Sequence, residues 1–334
     1  MLWIQARSGN FKSDRRFGGI MEKKKLKILF IGIGSIAKRH IHNLYAITKK
    51  RGLSITIDAF RRTSSTVLAD GVQKEYTELF SVPCDYDAVF ITNPTEQHLG
   101  TLKQFHDKGK NFFIEKPVVS LTQLEAAKEF RLRPDCIYYV ACPLRYNAVI
   151  QYIKEHIPAK EVISVRSISS SYLPDWRKGQ DYRQTYSAHK DMGGGVSIDL
   201  IHEWDYLTYL FGWPEKVKSM IGKKSNLEID SDDYAIYIAE YSDKIMELHL
   251  DYFGQKTIRT IELFTTKDTI IGDIANNRIL FLTSGKTIDF YEERNDFQQR
   301  ELDYFINLIS NPIISEADYY SRGIKVLELT QGRI

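Results

Sequence analysis

The stretch Ile31-Gly32-Ile33-Gly34-Ser35-Ile36-Ala37-Lys38-Arg39-His40-Ile41-His42 decides the fold. It follows Leu26-Lys27-Ile28-Leu29-Phe30, an apolar run with the length and composition of a buried parallel strand. The G-x-G-x-x-A pattern then opens a helical segment marked by Ile41, Leu44, Tyr45 and Ile47. Gly32 permits the tight turn, Gly34 lets the backbone approach a pyrophosphate, and small Ala37 lets the helix pack close to the strand. The free N–H groups at the helix start, around Ser35 and Ile36, together with the positive end of the helix dipole, hold phosphates. Glycines in this pattern are common in ordinary turns. The strand before and the helix after turn them into a dinucleotide site.

Working outward, strands and helices alternate. Ile55–Phe60, Asp87–Thr92, Asn111–Glu115 and Cys136–Val140 read as further strands, with helices over Leu99–Lys108 and Leu121–Phe130. Repeated β-α-β units imply a parallel sheet covered on both faces, with ligands at the C-terminal ends of its strands. From Val162 the grammar changes. Extended segments such as Tyr234–Ala239 and Ile245–Leu250 alternate with turn residues up to about Phe290, the pattern of an antiparallel sheet with one face packed. Helical spacing returns at Phe297–Ile309 and Ile324–Leu329. The predicted architecture is α/β: a Rossmann dinucleotide-binding domain over 21–142, then an α+β domain over 143–334 with a large, mostly antiparallel sheet for substrate binding and oligomerisation.

Composition sets bounds. At 334 residues, 43% apolar and 27% charged, the chain reads as an ordinary two-domain globular protein. No apolar run approaches the ~18 residues of a membrane span, so no membrane partner is expected. The net charge of +3 comes from residues 1–20, where Arg7, Lys12, Arg15 and Arg16 face Asp14 alone. The remainder is balanced, which argues against nucleic acid. Residues 1–20 read as a disordered upstream extension, with Met21 as a natural start; an Arg-rich, acid-poor tail also fits a transit peptide. Cys84, Cys136 and Cys142 form no C-x-x-C pair and read as reduced thiols of a cytoplasmic protein.

Four further elements carry chemistry. Thr92-Asn93-Pro94 with His98 follows one strand, and Glu115-Lys116-Pro117 ends another. Asp181-Tyr182-Arg183 with Tyr186 precedes Gly193-Gly194-Gly195, which lead into Asp199, His202, Glu203 and Asp205. In this order they resemble the glucose–fructose oxidoreductase / inositol dehydrogenase family of nicotinamide-dependent sugar oxidoreductases. The resemblance spans nearly all of residues 25–330. It implies that Lys116 contacts the reacting hydroxyl, that Lys116–Pro117 is a cis peptide, and that Asp199 and His202 complete the catalytic set. It puts Thr92, Asn93, Pro94, His98, Glu115, Lys116 and Arg145 on the cofactor side. Tyr182, Arg183, Tyr186 and Lys190 line the substrate side, where Arg183 hints at an anionic group.

The chemistry agrees. Hydride transfer from a carbinol needs the hydroxyl proton removed, and desolvation brings a lysine or histidine into a useful range for that work. Asp199 and His202, three apart on one helix, face the same way. The family spaces this pair by four residues, and here Glu203 holds that position. The carboxylates beside His202 make only a weak metal pattern, and no metal is expected. After the second strand come Arg61-Arg62-Thr63-Ser64-Ser65, with no acidic residue at the strand end. Two guanidiniums there favour NADP over NAD. The reading is an NAD(P)-dependent oxidoreductase acting on a sugar or nucleotide sugar, assembled as a homodimer or homotetramer through its C-terminal sheet. The alternatives are a catalytically silent dinucleotide or sugar sensor and a nicotinamide-assisted glycosidase.

Overall fold

The computed structural model describes residues 25–63, 67–310 and 318–332. The tail over 1–20 and the proposed start at Met21 lie outside them. The N-terminal half runs β1 (Lys25–Ile31), α1 (Ser35–Arg51), β2 (Ser54–Phe60), β3 (Lys74–Tyr76), β4 (Ala88–Ile91), α2 (His98–Gln104), β5 (Phe112–Ile114), α3 (Leu124–Lys128) and β6 (Tyr138–Val140). These strands form one parallel sheet in the order β3-β2-β1-β4-β5-β6. The order reverses between β1 and β4, the switch point at which such sheets bind ligands. Helix α1 is closed by Gly52 in a left-handed conformation (φ 67°), with Lys49, Lys50 and Arg51 at the negative end of its dipole.

The second half contributes α4 (Ala148–His156), β7 (Val162–Tyr172), α5 (Val196–Asp199), α6 (His202–Phe211), β8 (Lys216–Gly222), β9 (Tyr234–Glu240), β10 (Ile245–Asp251), β11 (Phe253–Thr265), β12 (Thr269–Asp273), β13 (Arg278–Phe281), β14 (Thr287–Asp289), α7 (Asp296–Ser310) and α8 (Tyr319–Leu329). Its strands make an eight-stranded sheet in the order β14-β13-β12-β11-β7-β10-β9-β8. Neighbours are antiparallel except β7 and β10, which run parallel. One face is packed by alternate residues such as Val165, Met246, Leu248, Ile261 and Leu263.

The chain then returns to the first sheet. Phe30, Phe90, Phe113 and Tyr139 lie in register on four adjacent strands and stack at 4.7, 4.7 and 5.3 Å between ring centroids. Phe305 of α7 meets Phe90 and Phe113 with an edge-to-face contact at 5.6 and 5.3 Å, and Leu302 and Ile306 complete that core. Residues of α7 therefore pack the face of the first sheet that α1 also covers.

Candidate active site

The cofactor groove forms first. Gly32 has φ 86°, and a Cβ there would come within 2.9 Å of the Asn93 backbone. The loops after β1 and β4 touch at that point, so Gly32 is required both for its conformation and for its lack of a side chain. The Thr92 hydroxyl joins the same loops by donating to the Gly32 carbonyl at 2.8 Å. Gly34 caps α1 with nothing within 4 Å of where its Cβ would stand. Exposed Gly34 and Ser35 leave the helix start open, and Ala37 is fully buried against the sheet.

A groove of about 580 Å³ runs from Gly32 past Asn93 and Pro94 to Arg61, Arg62 and Thr63. Within it, the buried Asn93 Oδ1 has no hydrogen-bond partner among the described residues while its Nδ2 donates to Thr101 at 2.8 Å. An open helix start, a glycine cradle and an orphaned acceptor fit a dinucleotide. Arg61 pairs with Glu75 of β3 at 3.1 Å and also borders a second cavity of about 710 Å³ lined by Lys38 and His42 of α1.

His98 takes a different place from the one expected. It is 1% exposed, with Nδ1 3.1 Å from the Pro117 carbonyl and Nε2 3.0 Å from that of Asn93. It ties the loops after β4 and β5 together from behind the groove, and burial lowers its proton affinity. Glu115 pairs with His40 of α1 at 2.6 Å and receives the Lys116 N–H at 3.3 Å. Burial opposes its charge, but His40 and the nearby cations outweigh that and hold its carboxyl below the usual range.

Lys116, Tyr186, Asp199 and His202 meet in a separate cleft of about 540 Å³ between the two halves. The Lys116–Pro117 peptide is cis. Lys116 Nζ donates to the Asp199 carbonyl at 2.9 Å, and the Asp199 carboxylate accepts from Tyr252 at 2.6 Å. Burial draws Lys116 below its ordinary value of 10.5, only partly offset by Asp199 and Glu115. Burial, then the positive charges of Lys116 and Arg259, push His202 well below 6.5, so its imidazole is neutral near pH 7.

Asp199 and His202 do not share one helix. Asp199 ends α5 and His202 begins α6, with Leu200 at ψ 26° between them. The Glu203 amide donates to Leu200 and not to Asp199. The freed Asp199 carbonyl is the one that Lys116 takes. The break also explains the three-residue spacing: His202 lines the cleft, whereas Glu203 is fully buried behind it and pairs with Arg259 of β11 at 2.9 Å.

Arg145 stands beside this cleft, its guanidinium forked onto Asp205, in a small void shared with Lys116, Pro117 and His202. Tyr182, Arg183 and Lys190 do not line the cleft. Arg183 is half exposed and spent on Asp181 at 2.9 Å and Glu228 at 3.3 Å. The cleft instead holds Trp176, Arg177, Arg259 and Arg294, and Tyr252 holds Asp199 from below, none of them anticipated. Arg259 had a signal. It shares strand parity with the buried Ile261 and Leu263, and an inward-facing charge in a strand calls for a partner. Tyr252 had none, since a tyrosine in a strand reads as ordinary packing.

Among the described residues, the donor atoms of His189, Asp191 and Asp230 converge within 4.8 Å, but this exposed group shares no residue with the cleft. Among them too, no helix is long and apolar enough to cross a membrane.

A parallel sheet with a phosphate-ready first turn, facing a lysine and a neutral histidine, defines a dinucleotide-dependent oxidoreductase site. The comparisons bear on the same conclusion. Residues 26–141 match the model of the oxidoreductase family with NAD-binding Rossmann fold, and 150–271 match the GFO/IDH/MocA C-terminal domain. The chain belongs to the GFO/IDH/MocA oxidoreductase family. It is 25% identical over 320 residues to scyllo-inositol 2-dehydrogenase (NAD(+)) of Bacillus subtilis, covering 88% of this chain and 90% of that one. Its fold is similar to levoglucosan dehydrogenase in complex with NADH (TM-score 0.77, 15% identity, 92% and 96% covered). It is also similar to UDP-N-acetylglucosamine 3-dehydrogenase of Acidithiobacillus ferrooxidans (TM-score 0.71, 18% identity, 92% and 96% covered).

Proposed function

We propose that the protein moves a hydride between a nicotinamide dinucleotide and a carbinol or keto carbon of a sugar or nucleotide sugar, with Lys116 and His202 as its acid–base pair. The observation that carries this reading is their meeting in one cleft at the strand ends, with Asp199 between them. When bound, the nicotinamide supplies or accepts the hydride. Neutral His202 takes the hydroxyl proton on an imidazole nitrogen. Lys116 spends one of its three protons on the Asp199 carbonyl and keeps two for the oxygen that gains charge. Reduction runs the same proton path backwards. Following the absorbance of NADH and NADPH against a panel of sugars, polyols and nucleotide sugars tests the reading, and a panel that leaves both reduced cofactors untouched rejects it.

The same reading makes NADP(H) the preferred cofactor. Glu75 occupies part of Arg61, so the preference rests on exposed Arg62 together with the remaining donors of Arg61. Loss of a charge-assisted phosphate contact costs ~1.5–3 kcal/mol. Arg62→Ala is expected to weaken NADPH by that amount and to spare NADH, as read by fluorescence titration. Equal losses for both cofactors would refute the preference.

We further propose self-association through the outer face of the eight-stranded sheet, which exposes Met220, Ile238 and Ile245 among the charges of Arg166 and Glu247. Light scattering is expected to give two or four times 38.8 kDa, and a monomer would contradict it. The free thiols Cys84, Cys136 and Cys142 favour a reducing, cytoplasmic compartment.

A further inference from the structure

We propose that the substrate carries an oxyanion, a carboxylate or a phosphate, seated on Arg177, Arg259 and Arg294 of this cleft. The proposal rests on the hydride-transfer reading for the rest of that cleft. Elsewhere in the described structure many arginines are paired, and others, such as Arg62 and Arg131, stand exposed at the surface. Arg51, Arg61, Arg145, Arg166, Arg183 and Arg278 each hold a carboxylate. Arg183, which the sequence offers for an anion, is among them.

The cleft arginines differ. Arg177 and Arg294 have no carboxylate partner among the described residues, although both line the same concave wall. The guanidinium carbon of Arg177 lies 5.2 Å from the Tyr186 ring, a contact that fixes the plane and leaves its N–H donors unused. Arg259 gives Nη2 to Glu203 and makes a long 3.4 Å contact from Nε to Ser169, and its Nη1 has no partner among the described residues. Three guanidiniums with spare donors therefore converge on one cavity.

Cations outnumber carboxylates along the cleft lining: Lys116, Arg177, Arg259 and Arg294 face Asp175 and Asp199, and Glu203 behind the wall pairs with Arg259. Sugar hydroxyls are matched by carboxylates, which accept from them, and by amides, which donate as well as accept. A set of planar, donor-only forks is matched by an oxyanion instead. The positive wall also draws such a substrate into the cleft at low salt.

The test is calorimetric titration of the protein saturated with reduced cofactor, using glucose, glucuronate, glucose 6-phosphate and UDP-glucose. These present a neutral sugar and then its carboxylate, phosphomonoester and diphosphodiester forms. At least one charged form is expected to bind tenfold or more tightly than glucose, with the gain shrinking as salt rises from about 50 to about 500 mM. The tightest form identifies the oxyanion. Arg177→Ala and Arg294→Ala are each expected to weaken that form by roughly tenfold or more. Arg259 is left intact because Glu203 depends on it. If no charged form outcompetes glucose, or if the two variants weaken glucose as much as the charged form, the proposal falls. A charged sugar that binds as expected but undergoes no hydride transfer leaves the oxyanion site standing and removes the dehydrogenase reading. A neutral polyol oxidised at a KM unchanged in both variants does the reverse.

Discussion

Lys116→Ala and His202→Ala each lower turnover by ~10²–10⁴-fold while cofactor affinity and melting temperature stay near wild type. The expectation follows from where the two side chains sit. Both are only partly buried, both face the cleft, and neither anchors a core cluster. Asp199→Asn falls between them, because its backbone carbonyl still accepts from Lys116 and only its carboxylate, held by Tyr252, is altered. The pH profile of sugar oxidation gives a second check. His202 must be neutral to take a proton, and burial with the adjacent cations places its protonation well below 6.5, so the acidic limb lies under that value. Lys116 must be charged to hold the developing alkoxide, and burial brings its deprotonation below 10.5, so the alkaline limb lies under that value. Activity rises through the first limb and falls through the second. In His202→Ala the acidic limb is expected to disappear with the rate. A profile unchanged in both variants would move the acid–base work elsewhere.

How far these roles could be read before the structure depends on the kind of signal each residue leaves. The parallel sheet was legible because buried strands and glycine turns are local features. Ile28–Ile31 are buried on both faces, as their unbroken apolar run requires. Lys116 was legible for the same reason, lying directly after a strand at the crevice. The break between Asp199 and His202 was not. Nothing in Asp199-Leu200-Ile201-His202 disfavours a helix, and what interrupts it is a long-range contact, the Lys116 ammonium taking the Asp199 carbonyl. Arg183 shows the opposite failure. Its chemistry suited an anion, but Asp181 two residues away and Glu228 claimed it first. The return of α7 to the first sheet is likewise non-local: its helical spacing was visible, but not the aromatic ladder on which Phe305 lies.

Arg259→Ala is expected to cost ~3–5 kcal/mol of stability, and Glu203→Gln clearly less. Glu203 is 0% exposed, neither carboxylate oxygen has a well-formed hydrogen bond, and Arg259 Nη2 at 2.9 Å is its ion partner. Removing Arg259 strands that fully buried carboxylate without its ion partner, beside the hydroxyl of Tyr206. Removing the charge of Glu203 strands nothing comparable, since Arg259 is 26% exposed and opens onto the cleft. The asymmetry separates this pair from a surface ion pair, in which both changes cost little. In thermal melts Arg259→Ala should lose roughly 4–7 °C, and adding Glu203→Gln to it should restore most of the loss, because the second change removes the stranded charge. Catalysis separates the two roles again. The pair lies behind His202, and the positive charge of Arg259 helps keep that imidazole neutral. Glu203→Gln therefore leaves the proton acceptor in place and should reduce turnover far less than His202→Ala. A Glu203→Gln variant slower than His202→Ala would shift the base one position along α6, into the place where the family carries its histidine.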